Sequence, residues 1–309
     1  MVHRVSVVAV SAGVFLALSG CLGSQPLVGA PKTIAQEPAY STPAVQKKDL
    51  MYVATQPPTR STAYVYWLTY PQGLVVGKIA KQISGLCSDQ NGNVYMTQSD
   101  GSKSTIYEYA HAGETPLATL TDPYGGARGC SIETSTGNLA VANSKGKTVV
   151  IYSHARGKPK AFRLSFQPYN VAYDPKGHLY AIGTIGGGFA LLDNGTFRKV
   201  TLDKRPEVPI GVQWDGKYIA LGSAGSTYAE GAVRQYTVTG LNGVEQGYVR
   251  LHTFFNCFHI DGSTIILSGD GGDIDFFTYP AGSSQGKKLY IEGATSVTVS
   301  VAAGSRNGT

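Results

Sequence analysis

The chain has 309 residues, 42% hydrophobic and 15% charged, with a formal net charge of +6. That charge is small and its Lys and Arg are spread along the chain, which excludes the basic stripe or patch a nucleic-acid surface needs. Glycine (39) and tyrosine (19) are abundant, as in chains of aromatic strands joined by tight turns, and the length suits one large all-β domain rather than a small stapled module.

The chain starts with a short positive segment, Met1-Val2-His3-Arg4, followed by fourteen uncharged residues from Val5 to Leu18. A membrane-spanning helix takes about twenty apolar residues, so this run reads as a removable signal, residues 1–20. It ends in Leu18-Ser19-Gly20-Cys21, which resembles the lipobox of bacterial lipoproteins at all four positions. The resemblance implies cleavage before Cys21 and acylation of its sulfur and new N-terminus, palmitate-like chains that hold the protein outside the cytoplasm on an outer membrane or cell surface. Several buried chains, at about 0.8 kcal/mol per methylene, make a lasting anchor. Residues 21–48 are rich in Pro, Ala, Ser and Gln with no apolar period; they read as a flexible tether spanning on the order of 30 Å.

From residue 49 a repeat appears. Five segments share Gly or Asn, a short apolar strand, an acid, a turn with Gly and a second apolar strand. They are Gly85 to Tyr95 with Asp89, Gly129 to Ala140 with Glu133, Asn170 to Tyr180 with Asp174, Gly211 to Ile219 with Asp215, and Asn256 to Ile265 with Asp261. Their starts are 44, 41, 41 and 45 residues apart. Alternating runs follow, such as Thr105–Tyr109, Thr148–Tyr152, Ala232–Tyr236 and Asp275–Tyr279, and then outer runs such as Leu117–Leu120. Four antiparallel strands in about forty residues make a propeller blade. At the N-terminus, Leu50–Ala54, Ala63–Tyr66 and Leu74–Gly77 lack a first strand, while Ser296–Val301 at the far end lacks partners. Joined, they make a sixth blade and pair edges that would otherwise be exposed. The expected fold is all-β, a six-bladed β-propeller over residues 49–302, with 303–309 a disordered tail.

In its G-[VIL]-x-x-[DE]…G-x-[LIV]-Y core the repeat resembles the NHL-repeat and SMP-30/gluconolactonase-like class of six-bladed propellers. The lactonase side of that resemblance implies a divalent ion at the channel mouth, held by Glu, Asn and Asp. Asn170 and Asn256 are the two residues here that match such oxygen ligands, and Ca²⁺ is the ion they would accept. Gly occupies the other three first-strand positions, and the repeat acids head turns, a backbone-capping task.

Other constellations have plainer readings. Asp270, Asp273 and Asp275 cluster at a hairpin without the spacing of a calcium loop. His111 and His154 occupy equivalent turns of successive blades. Gly146-Lys147-Thr148 lacks the first glycine of a P-loop. Cys87, Cys130 and Cys257 all sit at first-strand starts; either Cys87 and Cys130 bridge adjacent blades, as an oxidising compartment permits, or all three are small buried thiols. Tyr64, Tyr66, Tyr107, Tyr109, Tyr152 and Tyr236 read as inter-blade core, or as stacking platforms for sugars. The leading expectation is therefore a monomeric, lipid-anchored binding or scaffolding module with an envelope protein or glycan as partner, no nucleic acid and no catalytic residues. The alternative is a metal-dependent hydrolase or lactonase using Asn170 and Asn256.

Overall fold

The computed structural model describes residues 43–57, 61–184, 188–224 and 231–303. The signal segment, Cys21, the tether as far as residue 42, Gly186 and Gly187, and the tail from 304 lie outside the described residues.

Strands such as Leu50–Thr55 and Leu139–Asn143 are buried at every position, while others alternate buried and half-exposed residues as successive side chains point to opposite faces. Lys103–Tyr109, for example, buries Ser104, Ile106 and Glu108 and leaves the residues between them half-exposed. In chain order, Leu50–Thr55 (β1), Tyr64–Thr69 (β2) and Val75–Ala80 (β3) belong to the first blade. The second holds Gly85–Ser88 (β4), Val94–Asp100 (β5), Lys103–Tyr109 (β6) and Pro116–Asp122 (β7). The third holds Ala127–Ile132 (β8), Leu139–Asn143 (β9), Thr148–Tyr152 (β10) and Lys160–Arg163 (β11), and the fourth Asn170–Tyr173 (β12), Leu179–Ile182 (β13), Phe189–Asp193 (β14) and Thr196–Lys199 (β15). A short strand, Thr201–Leu202 (β16), precedes the fifth blade, made of Val208–Trp214 (β17), Ile219–Ala224 (β18), Ala232–Thr239 (β19) and Asn242–Arg250 (β20). The sixth holds Cys257–Asp261 (β21), Thr264–Ser268 (β22), Asp273–Thr278 (β23) and Ser284–Tyr290 (β24). The last strand, Ala294–Ser300 (β25), returns to pair antiparallel with β1, setting Leu50 opposite Ser300 and Val53 opposite Val297.

The described residues thus form a six-bladed β-propeller, closed as the repeat pattern predicts by one C-terminal and three N-terminal strands. One element was not foreseen. β16 adds in parallel to the outer edge of β20, setting Thr201 beside Asn242, and covers part of a long edge strand that would otherwise be open.

The core lies between blades. Tyr52 and Trp67 of the first blade pack with Met96 and Tyr109 of the second, and Tyr95 and Ile106 of the second with Val141 and Tyr152 of the third. Polar links cross the same seams. Glu108, only 4% exposed, accepts hydrogen bonds from the Tyr95 hydroxyl and from Arg156 of the next blade. Asp215 accepts from Gln235 in its own blade and from Tyr279 in the sixth. Buried carboxylates need such partners.

The repeat acids do turn work. Asp89 Oδ1 accepts the backbone N–H groups of Asn91 and Asn93, Asp174 those of Lys176 and His178, and Asp215 those of Lys217 and Tyr218. Ending the chain at Glu292 would remove β25 with its buried Val297 and Val299. Burial of those two side chains alone stabilises by roughly 3–6 kcal/mol, comparable with the whole stability of many domains. The truncated protein is expected to lose its cooperative thermal transition, as followed by circular dichroism.

Candidate functional site

Six inner strands, β4, β8, β12, β17, β21 and β25, each touch the next around the ring. They enclose an axial channel with a cavity of about 290 Å³, near the lower end of small-ligand sites. Convergence on one axis demands small residues at the strand starts. A Cβ on Gly85 would lie 2.3 Å from the Arg128 carbonyl oxygen, and one on Gly129 would lie 2.5 Å from Asn170 Oδ1. These two glycines permit the close approach of neighbouring strands.

Asn170 and Asn256, from the fourth and sixth blades, both line this cavity. The Asn170 side chain lies across Gly129, and its Oδ1 accepts the N–H of Val171 at 2.7 Å. That donor identifies the oxygen end of the amide, so Nδ2 is the end directed away, toward Gly211 at 3.6 Å from the position of a Cβ there. Asn256 is held through its backbone N–H, which donates to the Ser268 carbonyl.

Arg128 and Tyr169 also line the cavity. The guanidinium stands over the Tyr169 ring, 5.7 Å from its centroid. Burial raises the Tyr169 hydroxyl pKa, with Cys257 adding to the effect and Arg128 opposing it. Arg128 forms no ion pair with any described residue, and it is the one Lys, Arg, Asp or Glu among the described lining residues. Sequence reading passed over both residues, although each immediately precedes a repeat start, Arg128 before Gly129 and Tyr169 before Asn170.

The cysteines divide. Cys87 of β4 and Cys130 of β8 are joined as a disulfide with Cα atoms 5.6 Å apart, crossing adjacent blades beside the channel. Cys257 is free; its sulfur lies 3.9 Å from Ser296 Oγ and 3.7 Å from the Phe258 carbonyl oxygen, and burial raises its pKa. A thiol so held stays protonated and is a poor nucleophile.

The remaining candidates have structural partners. Lys288 pairs with Asp273 at 2.8 Å and lies 3.9 Å from Asp275. His111 Nε2–H donates to the Lys48 carbonyl, and the Ser300 hydroxyl lies 2.6 Å from its Nδ1, binding the two chain ends together. Tyr109, Tyr152 and Tyr236 are buried core, while the half-exposed rings of Tyr64 and Tyr107 are covered by Lys78 and Lys81. Among the described residues no group of three His, Cys, Asp or Glu is placed to hold a metal ion.

The divalent ion implied by the lactonase resemblance needs hard oxygen ligands, carboxylates above all. The described channel lining contains no carboxylate, and the oxygen of Asn170 already accepts the Val171 N–H. This donor set does not fit that ion.

Fold and channel together define a six-bladed β-propeller with an axial, ligand-sized cavity. Its solved structural neighbours are of propeller type. A chain of the nidogen/laminin complex aligns with a TM-score of 0.64 at 14% identity, over 82% of this chain and 99% of its own. A protein from Bacteroides fragilis ascribed 6-phosphogluconolactonase activity aligns with a TM-score of 0.58 at 14% identity, over 83% and 99%. A functionally unknown protein from Desulfotomaculum acetoxidans reaches 0.57 at 14% identity, over 81% and 89%. No protein-family profile and no curated protein matches the sequence.

Peptide mapping after alkylation in denaturant is expected to recover Cys87 and Cys130 as one linked pair, with Cys257 as the labelled thiol. The bridge closes a sequence separation of 43 residues, for which the chain-entropy account gives about 4 kcal/mol. In urea titrations Cys87→Ser and Cys130→Ser should each lose up to about that much, and the double variant little more than either.

Proposed function

We propose that the chain is a recognition module of the bacterial cell envelope, acylated at Cys21, carried on the tether of residues 21–48, and binding its ligand at the mouth of the axial channel without transforming it. The observation that carries this reading is the make-up of the channel lining. It offers an arginine, amides, hydroxyls, the rings of Tyr169, Tyr173, Trp214 and Phe258, and the His259 imidazole, a set that orients a ligand, and its described residues include no carboxylate to hold a metal ion. Conserving the ligand requires no more than these groups supply.

The NHL-like repeat core is consistent with such a role, since propellers of one architecture carry unrelated functions. The neighbours span that range: one is part of a complex between two proteins and another is ascribed a lactonase activity. The loops around the channel face are where an envelope protein or glycan would dock, with the anchor fixing the propeller near the membrane. A metal-dependent hydrolase reading would need Asn170 and Asn256 to act as metal ligands without a carboxylate beside them in the described lining.

Two measurements test the reading. Cells fed a labelled fatty acid should yield labelled protein, and Cys21→Ser should abolish the label and release the chain from membranes. In thermal-shift titrations Ca²⁺ and other divalent cations are expected to leave the transition unchanged. Occupancy at a hundred times Kd would instead stabilise by about 2.7 kcal/mol; a shift of that size lost in Asn170→Ala or Asn256→Ala would replace recognition with the metal-dependent reading.

A further inference from the structure

The geometry points to a small oxyanion, a carboxylate or phosphate group on a molecule of sugar-acid size, as the ligand of the axial channel, held by the Arg128 guanidinium and the Asn170 Nδ2 amide over the Tyr169 ring. This assignment rests on the recognition reading of the channel and names its ligand class.

Three observations converge on it. The first is an uncompensated charge: Arg128 lines a partly enclosed cavity whose described walls hold no Asp or Glu, its guanidinium stands over the ring of Tyr169, another lining residue, and it enters no ion pair with a described residue. A cleft of one charge sign with low-dielectric walls concentrates counter-ions. A guanidinium also offers a planar fork of donors that matches carboxylate and phosphate oxygens in pairs.

The second is the direction of Asn170. Oδ1 uses one of its two lone pairs on the Val171 N–H at 2.7 Å, and the NH₂ end lies on the Gly211 side of the carboxamide. That end carries donors alone, and donors select an anion. Gly129 makes this arrangement feasible, because any side chain there would occupy the space of the Asn170 carboxamide.

The third is positional. Gly129 N–H donates to the Tyr169 carbonyl at 3.0 Å, so the inner strands of the third and fourth blades are bonded together where Arg128 and Asn170 stand. The Arg128 guanidinium rests over the Tyr169 ring, which limits its freedom before a ligand arrives; less ordering is then needed on binding. The cavity of about 290 Å³ admits one such molecule and excludes a polymer chain from its interior.

The test uses the purified protein and isothermal titration with four probes: inorganic phosphate, glutarate, gluconate and, as a neutral comparison, glucose. At least one anion is expected to bind, more weakly as salt rises. Arg128→Gln should weaken that anion at least about tenfold, the usual worth of a charged hydrogen bond, while Arg128→Lys retains part of the affinity. The preferred probe separates the two sources, phosphate for a phosphoryl group and glutarate or gluconate for a carboxylate. Circular dichroism checks that each variant is folded, and Lys204→Gln, a surface change, serves as the control. Anion binding of equal strength in wild type and Arg128→Gln would overturn the assignment. Binding of glucose with none of the anions would overturn it too, and would leave recognition at the channel standing. Silence from all four probes would count against both.

Discussion

A propeller holds only if its ring closes, and here one ladder closes it. Leu50 to Thr55 pairs with Ala294 to Ser300, so backbone hydrogen bonds join segments at opposite ends of the folded chain. Smaller contacts bolster that seam. Asp49 Oδ1 accepts the N–H of Ala302, and His111 of the second blade touches both Lys48 and Ser300. Each blade buries its faces against its two neighbours rather than within itself, so an open ring would expose the apolar faces of the two blades at the gap as well as two strand edges. Closure is therefore the condition under which every other interface is complete.

The same ring determines the site. Six strands brought to one axis crowd their first residues, and glycine at positions 85 and 129 is the local answer. Crowding leaves a narrow cavity in which a few polar groups carry much weight. Two carboxylates at the seams between blades are matched: Glu108 with Tyr95 and Arg156, Asp215 with Gln235 and Tyr279. Arg128 is the contrast, a cation facing the axis without a described carboxylate. A cation in a cavity whose described walls carry no opposite charge favours an anionic ligand there.

The repeat was readable because each blade is a local unit, with an acid whose carboxylate caps the turn it heads and a glycine that lets the chain turn back. Asp89, Asp174 and Asp215 are bonded to backbone N–H groups two to four residues on, and such short-range chemistry leaves a short-range signature. β16 left none, because its pairing with β20 depends on where the previous blade delivers the chain. The site was half legible. Asn170 is legible as a strand start, but the metal role the resemblance implies needs carboxylates beside it, and the described channel lining holds none. Arg128 and Tyr169 gave no signal of their own, since a cation and a ring 41 residues apart in sequence say nothing of each other until blades are placed side by side.

Period, turn chemistry and the unmatched strands at both ends determined, from the amino acids by themselves, an all-β ring of six blades and the way it closes. They could do so because strand alternation and turn capping act within a few residues, and because a missing strand at one end and a surplus one at the other have a single common solution. Tertiary structure alone decided which charges meet partners, which end of the Asn170 amide faces the channel, and that Arg128 stands over Tyr169 at the axis. Those are matters of distance between blades, and distance between blades is set by packing around the ring rather than by separation along the chain.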